Sequence, residues 1–432
     1  MKKNAIILTG KALSFAIQKL NMGNGSTWPG HIALNLDTDF IKKMTSKSQT
    51  KIVFIVGTNG KTTTTALIRS MAEKDGKKVI QNISGANLLN GIASTLLLNA
   101  TPTGKINADI ALFEIDENIF PLICKELTPD VVVMLNLFRD QLDRYGEVTT
   151  IANKWKKALY ELPDKTKIIL NADDPLIAYL GVDENKDISY FGLVGKENKN
   201  TTLEHAVDSI YCPRCNTRLT YHQVFYSHLG EWECPKCELK RPSLDLNHAE
   251  FYPLEGMYNK SNIHAAILTA KELGYSDKAI SDALHSFKPA FGRQEEIILG
   301  KKKIKIILVK NPTGFNETLK TVYSLSGSHV LIALNDRVAD GKDISWIWDV
   351  DFEEFKNYQS LSLTLTGDRV HDMMTRIKYA DIQNANVNAD ENMDNALSSA
   401  LKDLPNDKTL FILPTYTAML SLRKTITGRK IL

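Results

Sequence analysis

From Lys51 onward, compact apolar runs alternate with longer stretches in which apolar and polar residues mix. Runs at 52–56, 78–81, 110–115, 131–135 and 168–170, spaced by helical stretches, predict a doubly wound α/β sheet. A second α/β set starts near residue 291, with strands expected at 304–309, 330–334, 361–366 and 410–413, each followed by a helical stretch. Between the two sets, residues 259–273 place Ile263, Ala266, Ile267 and Ala270 on one stripe of a helix. The expected organisation is a short N-terminal segment (1–48), a central domain (49–290) and a C-terminal α/β domain (291–432). A chain of 432 residues is too long for one core, and 43% apolar content suffices for each of two or three.

In sheets of this kind the ligand lies beyond the carboxyl ends of the strands. Three polar clusters fall there, at 57–63, 114–117 and 136–143. The first reads Gly57-Thr58-Asn59-Gly60-Lys61-Thr62-Thr63, a glycine-hinged turn that opens a helix on a lysine and hydroxyls. Its backbone N–H groups and the helix N-terminal dipole favour a polyphosphate, Lys61 can bind terminal oxygens and Thr62 can ligand magnesium. ATP is the expected ligand. The strict P-loop pattern has a glycine where Ile55 stands, so the turn is a shorter variant. The second cluster, Glu114-Ile115-Asp116-Glu117, crowds carboxylates at a strand end, and hard oxygen ligands suit magnesium. Alternation along the strand turns Glu114 and Asp116 to one face.

Charge and cysteines narrow the chemistry. A formal charge of +3, without a run of five like charges, gives no electrostatic footprint for nucleic acid. No segment reaches eighteen apolar residues and no signal peptide is evident, so a cytoplasmic protein is expected. Four of the five cysteines form two Cys-x-x-Cys pairs, Cys212/Cys215 and Cys234/Cys237. Soft thiolates at this spacing predict a tetrahedral zinc site on two knuckles, with a hairpin between them over 217–232. Such a zinc ribbon, inserted at about 201–245, leaves the metal no open position and is structural. Cys124, in an apolar stretch, reads as a core residue.

The phosphate turn resembles the ATP loop of the Mur ligases and folylpolyglutamate synthases, which join an amine to a carboxylate. Further motifs follow in the order of that family. Glu114 stands where its Glu-Ala-Asp-Glu-Ser stretch holds magnesium. Residues 136–146 resemble its Asn-x-x-x-Asp-His-x-Asp motif, with Gln141 in place of a ligand histidine. Lys154, Lys156 and Lys157 lie near the offset of the family's carbamylated lysine, and Asn171-Ala172-Asp173-Asp174-Pro175 matches a segment near the nucleotide. In 255–266 the resemblance assigns Asn262 to the adenine edge; Phe291-Gly292-Arg293-Gln294-Glu295 looks like the entry into the third domain, and Asn311 stands where an aspartate approaches the ribose.

Within the Mur ligases, the head at 23–31, the inserted ribbon and residues 335–349 resemble one group, MurT, the ligase subunits of lipid II isoglutaminyl synthase. With only about fifty residues before the phosphate turn, a UDP-linked substrate is not expected. The resemblance implies a Mur ligase-like central ATPase domain with an inserted zinc ribbon and a C-terminal Rossmann-like domain. It also implies ATP-dependent amidation of the D-glutamate α-carboxylate of lipid II through an acyl phosphate, with ATP, Mg2+ and Zn2+ bound, at the inner face of the membrane. Ammonia would come from a separate glutaminase, GatD in that family, and Asp349 would orient the partner's catalytic histidine. Trp346 and Trp348, beside Asp349, Asp351, Glu353 and Glu354, read either as an interface patch or as two core tryptophans beside a solvated acidic loop. Two rival readings are a stand-alone amino-acid ligase and a zinc-ribbon P-loop protein that binds nucleic acid.

Overall fold

The computed structural model describes residues 2–19, 27–46, 48–83, 85–139, 148–182, 185–195, 200–204, 207–289 and 292–428. The chain divides into two compact units, one running to Phe287 and the other from Lys288, with Glu204 and Leu254–Tyr258 joining the second. A six-stranded parallel sheet carries the first. Its strands are β1 (Lys51–Val56), β2 (Val79–Gln81), β3 (Ile110–Ile115), β4 (Val131–Met134), β5 (Lys167–Asn171) and β6 (Ile188–Phe191), in the order β2-β3-β1-β4-β5-β6. Parallel strands need crossovers, which is why helices cover both faces and β3 and β4 are buried throughout. Phe54, Phe113 and Trp155 lie in the core on one face; Ile55, Leu67 and Ile263 lie in the core on the other.

The N-terminal segment is more structured than its sequence suggested. Helices α1 (Lys2–Lys19), α2 (Trp28–Leu36) and α3 (Phe40–Thr45) send Ile6, Ile7, Ala33, Phe40 and Met44 into the first core. In Trp28-Pro29-Gly30 the glycine is required sterically: a Cβ there would fall 1.9 Å from the Asn90 carbonyl oxygen, while the Gly30 N–H donates to Ser94 Oγ at 2.7 Å.

The second unit holds another six-stranded sheet: β9 (Arg293–Leu299), β10 (Lys302–Ile307), β11 (His329–Ala333), β12 (Leu361–Thr366), β13 (Ala385–Ala389) and β14 (Thr409–Pro414). The order is β13-β12-β11-β14-β10-β9, parallel except for the hairpin that adds β9 to β10. After β11 comes no α-helix but two 3-10 turns, Ser345–Asp349 and Phe352–Asn357. The reason is spacing: Ile347, Val350, Phe352 and Phe355 all enter the core, and steps of three, two and three do not follow a helical stripe. In the cysteine insertion, β7 (Thr220–Tyr226) and β8 (Leu229–Glu233) pair antiparallel over a small core of Leu219, Tyr221, Val224 and Trp232. Among the described residues no helix is long and apolar enough to cross a membrane.

Candidate active site

Strand β1 is flanked by β3 and β4; its own crossover leads toward β2, whereas that of β4 leads toward β5. The divergence opens a crevice at the carboxyl ends of β1 and β4, where doubly wound sheets bind their ligands. The turn 57–60 runs into helix α4 (Lys61–Lys74) at this point, with Gly60 at its N-cap and a φ of 90°. The loop after β4 clasps the turn. Asn136 accepts from the Asn59 N–H at 2.9 Å and donates back to its carbonyl at 3.0 Å; the Thr58 N–H donates to the Asn136 carbonyl at 3.1 Å. The buried Thr58 hydroxyl donates to the Phe138 carbonyl at 3.2 Å and accepts from its N–H at 3.0 Å. Lys61 bends back over the turn, its ammonium donating to the Gly57 carbonyl and, at 3.3 Å, to that of Thr58.

The acidic cluster meets this turn from β3. Thr62 Oγ1 donates to Glu114 Oε2 at 2.9 Å, and Lys61 Nζ lies 3.5 Å from Glu117 Oε2. Buried Asn82 exchanges two 2.9 Å hydrogen bonds with the Glu114 backbone, and Trp155 donates to the Glu117 carbonyl at 2.8 Å, so both acidic residues are fixed by their main chain. The expected pairing of Glu114 with Asp116 needs correction. Strand β3 ends at Ile115, the alternation stops with it, and Glu117 is the residue beside Lys61; an Asp116 oxygen accepts from the Asn118 N–H at 3.1 Å. A hydroxyl and a carboxylate side by side, both oxygen donors, fit magnesium. Gln141 and Asp143 lie outside the described residues, as does the head at 23–26.

Asn262, in the first turns of helix α9 (Met257–Glu272), packs against the phosphate turn: a Cβ on Gly60 would fall 2.1 Å from its Oδ1. Thr63 is buried in α4. Lys154 and Lys157 face solvent, while Lys156 donates to the Val182 carbonyl at 3.1 Å and lies over the Tyr179 ring. In the second unit, Arg293 opens β9, and Asn311 caps helix α11 (Pro312–Ser324) by accepting from the Gly314 N–H at 2.9 Å. Asp349 ends the first 3-10 turn; beside it Trp346 packs half-buried against the core, while Trp348 is 50% exposed, edge-on to Tyr379. Trp348 lines a cavity of about 310 Å³ with Lys342, Asp343 and Arg369.

The sulfurs of Cys212, Cys215, Cys234 and Cys237 lie within 4.8 Å of one another, with Cys212 to Cys237 at 3.5 Å and Cys215 to Cys234 at 3.4 Å. Zinc–sulfur bonds of about 2.3 Å put tetrahedral sulfurs about 3.8 Å apart, so the donor set fits such an ion. The Thr217 hydroxyl beside Cys215 draws its thiol down to about 6. Cys124 packs half-buried against the first core, and burial pushes its thiol up to about 12, which makes it inert. Sequence reasoning had missed Asn82, the link from Glu117 to Lys61, and the contacts the insertion makes through Asp208 and His228. Each is a lone polar residue whose role depends on distant neighbours.

The sequence matches the Mur ligase middle domain over residues 55–270 and the MurT ligase C-terminal domain over 308–419. It is similar to the lipid II isoglutaminyl synthase (glutamine-hydrolyzing) subunit MurT of Streptococcus pneumoniae (strain ATCC BAA-255 / R6), at 34% identity over 100% of this chain and 98% of that protein. The same-named subunit of Staphylococcus aureus (strain COL) is 35% identical over 83% of this chain and 84% of its own. Among solved structures, a pseudomurein peptide ligase type C from Methanothermus fervidus superposes with a TM-score of 0.67 at 22% identity, covering 90% of this chain and 81% of that one. The MurF ligase of Thermotoga maritima, in complex with ADP, superposes with a TM-score of 0.62 at 12% identity, covering 92% and 83%. These two likenesses establish the Mur ligase fold.

Proposed function

The chain belongs to the MurT family of Mur ligase-like, ATP-dependent ligases, and from that premise we propose that it converts the D-glutamate α-carboxylate of the lipid II stem peptide to D-isoglutamine in peptidoglycan synthesis. The nitrogen is ammonia, released from glutamine by a partner glutaminase of the GatD kind. The chain acts at the inner face of the membrane, where a lipid-linked substrate presents its head group.

A carboxylate resists ammonia because its charge repels the lone pair and no good leaving group is present. A carboxylate oxygen therefore attacks the γ-phosphorus of ATP, the bond to ADP breaks, and an acyl phosphate forms. Ammonia then attacks the acyl carbon, phosphate departs with the carbon–oxygen electron pair, and the nitrogen loses a proton to give the amide. The residues for the first step are those of the crevice. Backbone N–H groups of Gly57 to Lys61 cradle the phosphates, and the Lys61 ammonium meets the charge that develops on the transferring group. Thr62 and Glu114 would hold magnesium, whose charge offsets that of the phosphates. Asn262 and Thr63 border the nucleotide, and the family resemblance adds Arg293 to the nucleotide residues. Zinc on the four cysteines is structural.

One observation carries the reading: Lys61 and Thr62 open α4 directly against two fixed carboxylates, Glu117 and Glu114, in a chain that aligns end to end with MurT. The half-buried thiol of Cys124, held protonated, supports a glutaminase on a separate chain. Asp349, half-buried and without a side-chain partner among the described residues, is free to orient a histidine of that partner. The boundaries near residues 49 and 291 define the parts: helical head, ATP-binding domain with its ribbon, and C-terminal domain.

The test incubates the chain with the glutaminase subunit, glutamine, ATP and lipid II. The expected product carries an amide in place of one carboxylate, seen by mass, and its formation requires all four additions. Product that forms at the same rate without the glutaminase favours the stand-alone ligase instead.

A further inference from the structure

Resting on the ATP-binding reading, we propose that the four-cysteine insertion braces the phosphate turn, with His228 and Asp208 as the positioning residues. The insertion is anchored at the end of β5. Trp232 Nε1 donates to the Ala172 carbonyl at 3.1 Å, the Gly230 N–H to the Asp173 carbonyl at 3.0 Å, and Arg241 Nε to Asp173 Oδ1 at 2.9 Å. From that anchor it reaches the loop after β4 at two places. The His228 ring packs against Phe138, centroids 5.0 Å apart, and its Nε2 lies 3.6 Å from Asp174 Oδ2, the oxygen that accepts from the Leu137 N–H at 2.9 Å. Asp208 accepts from the Arg139 N–H at 2.9 Å and pairs with its guanidinium.

Leu137, Phe138 and Arg139 follow Asn136, so the insertion holds from outside the loop that clasps Thr58 and Asn59 from inside. Both links lie within one unit, the His228 contact fully buried and the Asp208 contact partly buried. His228 is fully buried, and neither ring nitrogen has a hydrogen-bond partner among the described residues. Burying an imidazole this way carries a desolvation cost that an apolar ring would avoid. What the imidazole supplies is a polar edge toward Asp174, the carboxylate that holds the Leu137 N–H, and a ring contact with Phe138 of the clasping loop.

The test uses the full chain, a fluorescent ATP analogue with magnesium, and hydrogen exchange of the segment 57–63. His228→Leu and Asp208→Ala are each expected to weaken nucleotide binding about five- to tenfold, the worth of one aromatic contact or charged hydrogen bond. Exchange at 57–63 should quicken while β10 and β14, in the other unit, keep wild-type protection. Stripping the cysteine-bound metal with a chelator should quicken the same segment. If His228→Leu disrupts the hairpin, Asp208→Ala decides the question, because it leaves β7 and β8 untouched. Wild-type affinity in Asp208→Ala, with Lys61→Ala losing affinity, would overturn the brace alone. Exchange rising equally in both sheets would show a general structural role and overturn it too, and a wild-type chain that binds no nucleotide would overturn the ATP reading with it.

Discussion

Replacing Gly60 by alanine isolates what the phosphate turn depends on. At a φ of 90° an L-residue is strained, at a cost of about 1–2 kcal/mol. The new Cβ would also lie 2.1 Å from Asn262 Oδ1 and 2.9 Å from its Cγ, and Asn262 is only 3% exposed, with little room to retreat. Overpacking of this kind costs about 1–3 kcal/mol, so the two effects together come to about 2–5 kcal/mol. The strain falls on the turn, because the turn is tied down by a few hydrogen bonds to Asn136 whereas α9 is buried from Ser261 to Ala270. If the turn yields by even 2 kcal/mol, nucleotide affinity falls about thirtyfold.

Calorimetric titration of Gly60→Ala with a non-hydrolysable ATP analogue and magnesium measures this, and a thermal melt run in parallel records any part of the strain that reaches the fold. The double variant Gly60→Ala/Asn262→Ala removes the collision and leaves the dihedral strain. Compared with the two single variants in a cycle, it should recover about half of the loss on a logarithmic scale. Wild-type affinity together with a wild-type melting temperature in Gly60→Ala would refute the geometry from which the figure is worked.

Four other outcomes are expected. Lys61→Ala should lower amidation at least about a hundredfold, as loss of a group that meets transition-state charge does, and full turnover would remove the lysine from the mechanism. Cys215→Ser with Cys237→Ser should abolish the zinc measured by atomic absorption and lower the melting temperature; unchanged metal content would refute the four-thiolate site. Asp349→Asn should impair glutamine-fed but not ammonia-fed amidation, and equal loss of both would refute its role toward the partner. Burial lowers the His264 imidazole from 6.5 to about 4, with Nδ1 donating to the Gly192 carbonyl and Nε2 accepting from Tyr252. The unfolded chain therefore binds a proton that the folded chain refuses: the contribution is full above pH 6.5 and is lost as pH falls toward 4, by at most about 3 kcal/mol. Urea melts of wild type and His264→Gln between pH 7 and 5 should converge on acidification, and parallel curves would refute this.

What could be read from the sequence follows from how locally each feature is encoded. Strands β1, β3 and β4 are buried on both faces, so their apolar runs announced them within a residue or so. The strands the sequence did not disclose, β6, β9 and β13, are all sheet edges. An edge needs no continuous apolar run: β13 reads Ala-Asn-Val-Asn-Ala and is mostly exposed, and β9 begins Arg-Gln-Glu-Glu. The site divides the same way. The phosphate turn and the cysteine pairs are local, with spacing that dictates backbone or donor geometry, and the structure brings each set together. The partners that fix them come from elsewhere in the chain: Asn82 lies 32 residues from Glu114, Asp208 lies 69 from Arg139, and Phe138 lies 80 from Thr58. A lone Asn or His carries no periodicity, so its role emerges only when the fold brings the distant backbone to it. That separation also explains why an insertion far along the chain can stiffen a turn near its start: strand order places the loop after β4 beside β1 and the end of β5 behind it, so a module anchored on β5 has a single loop between itself and the phosphates.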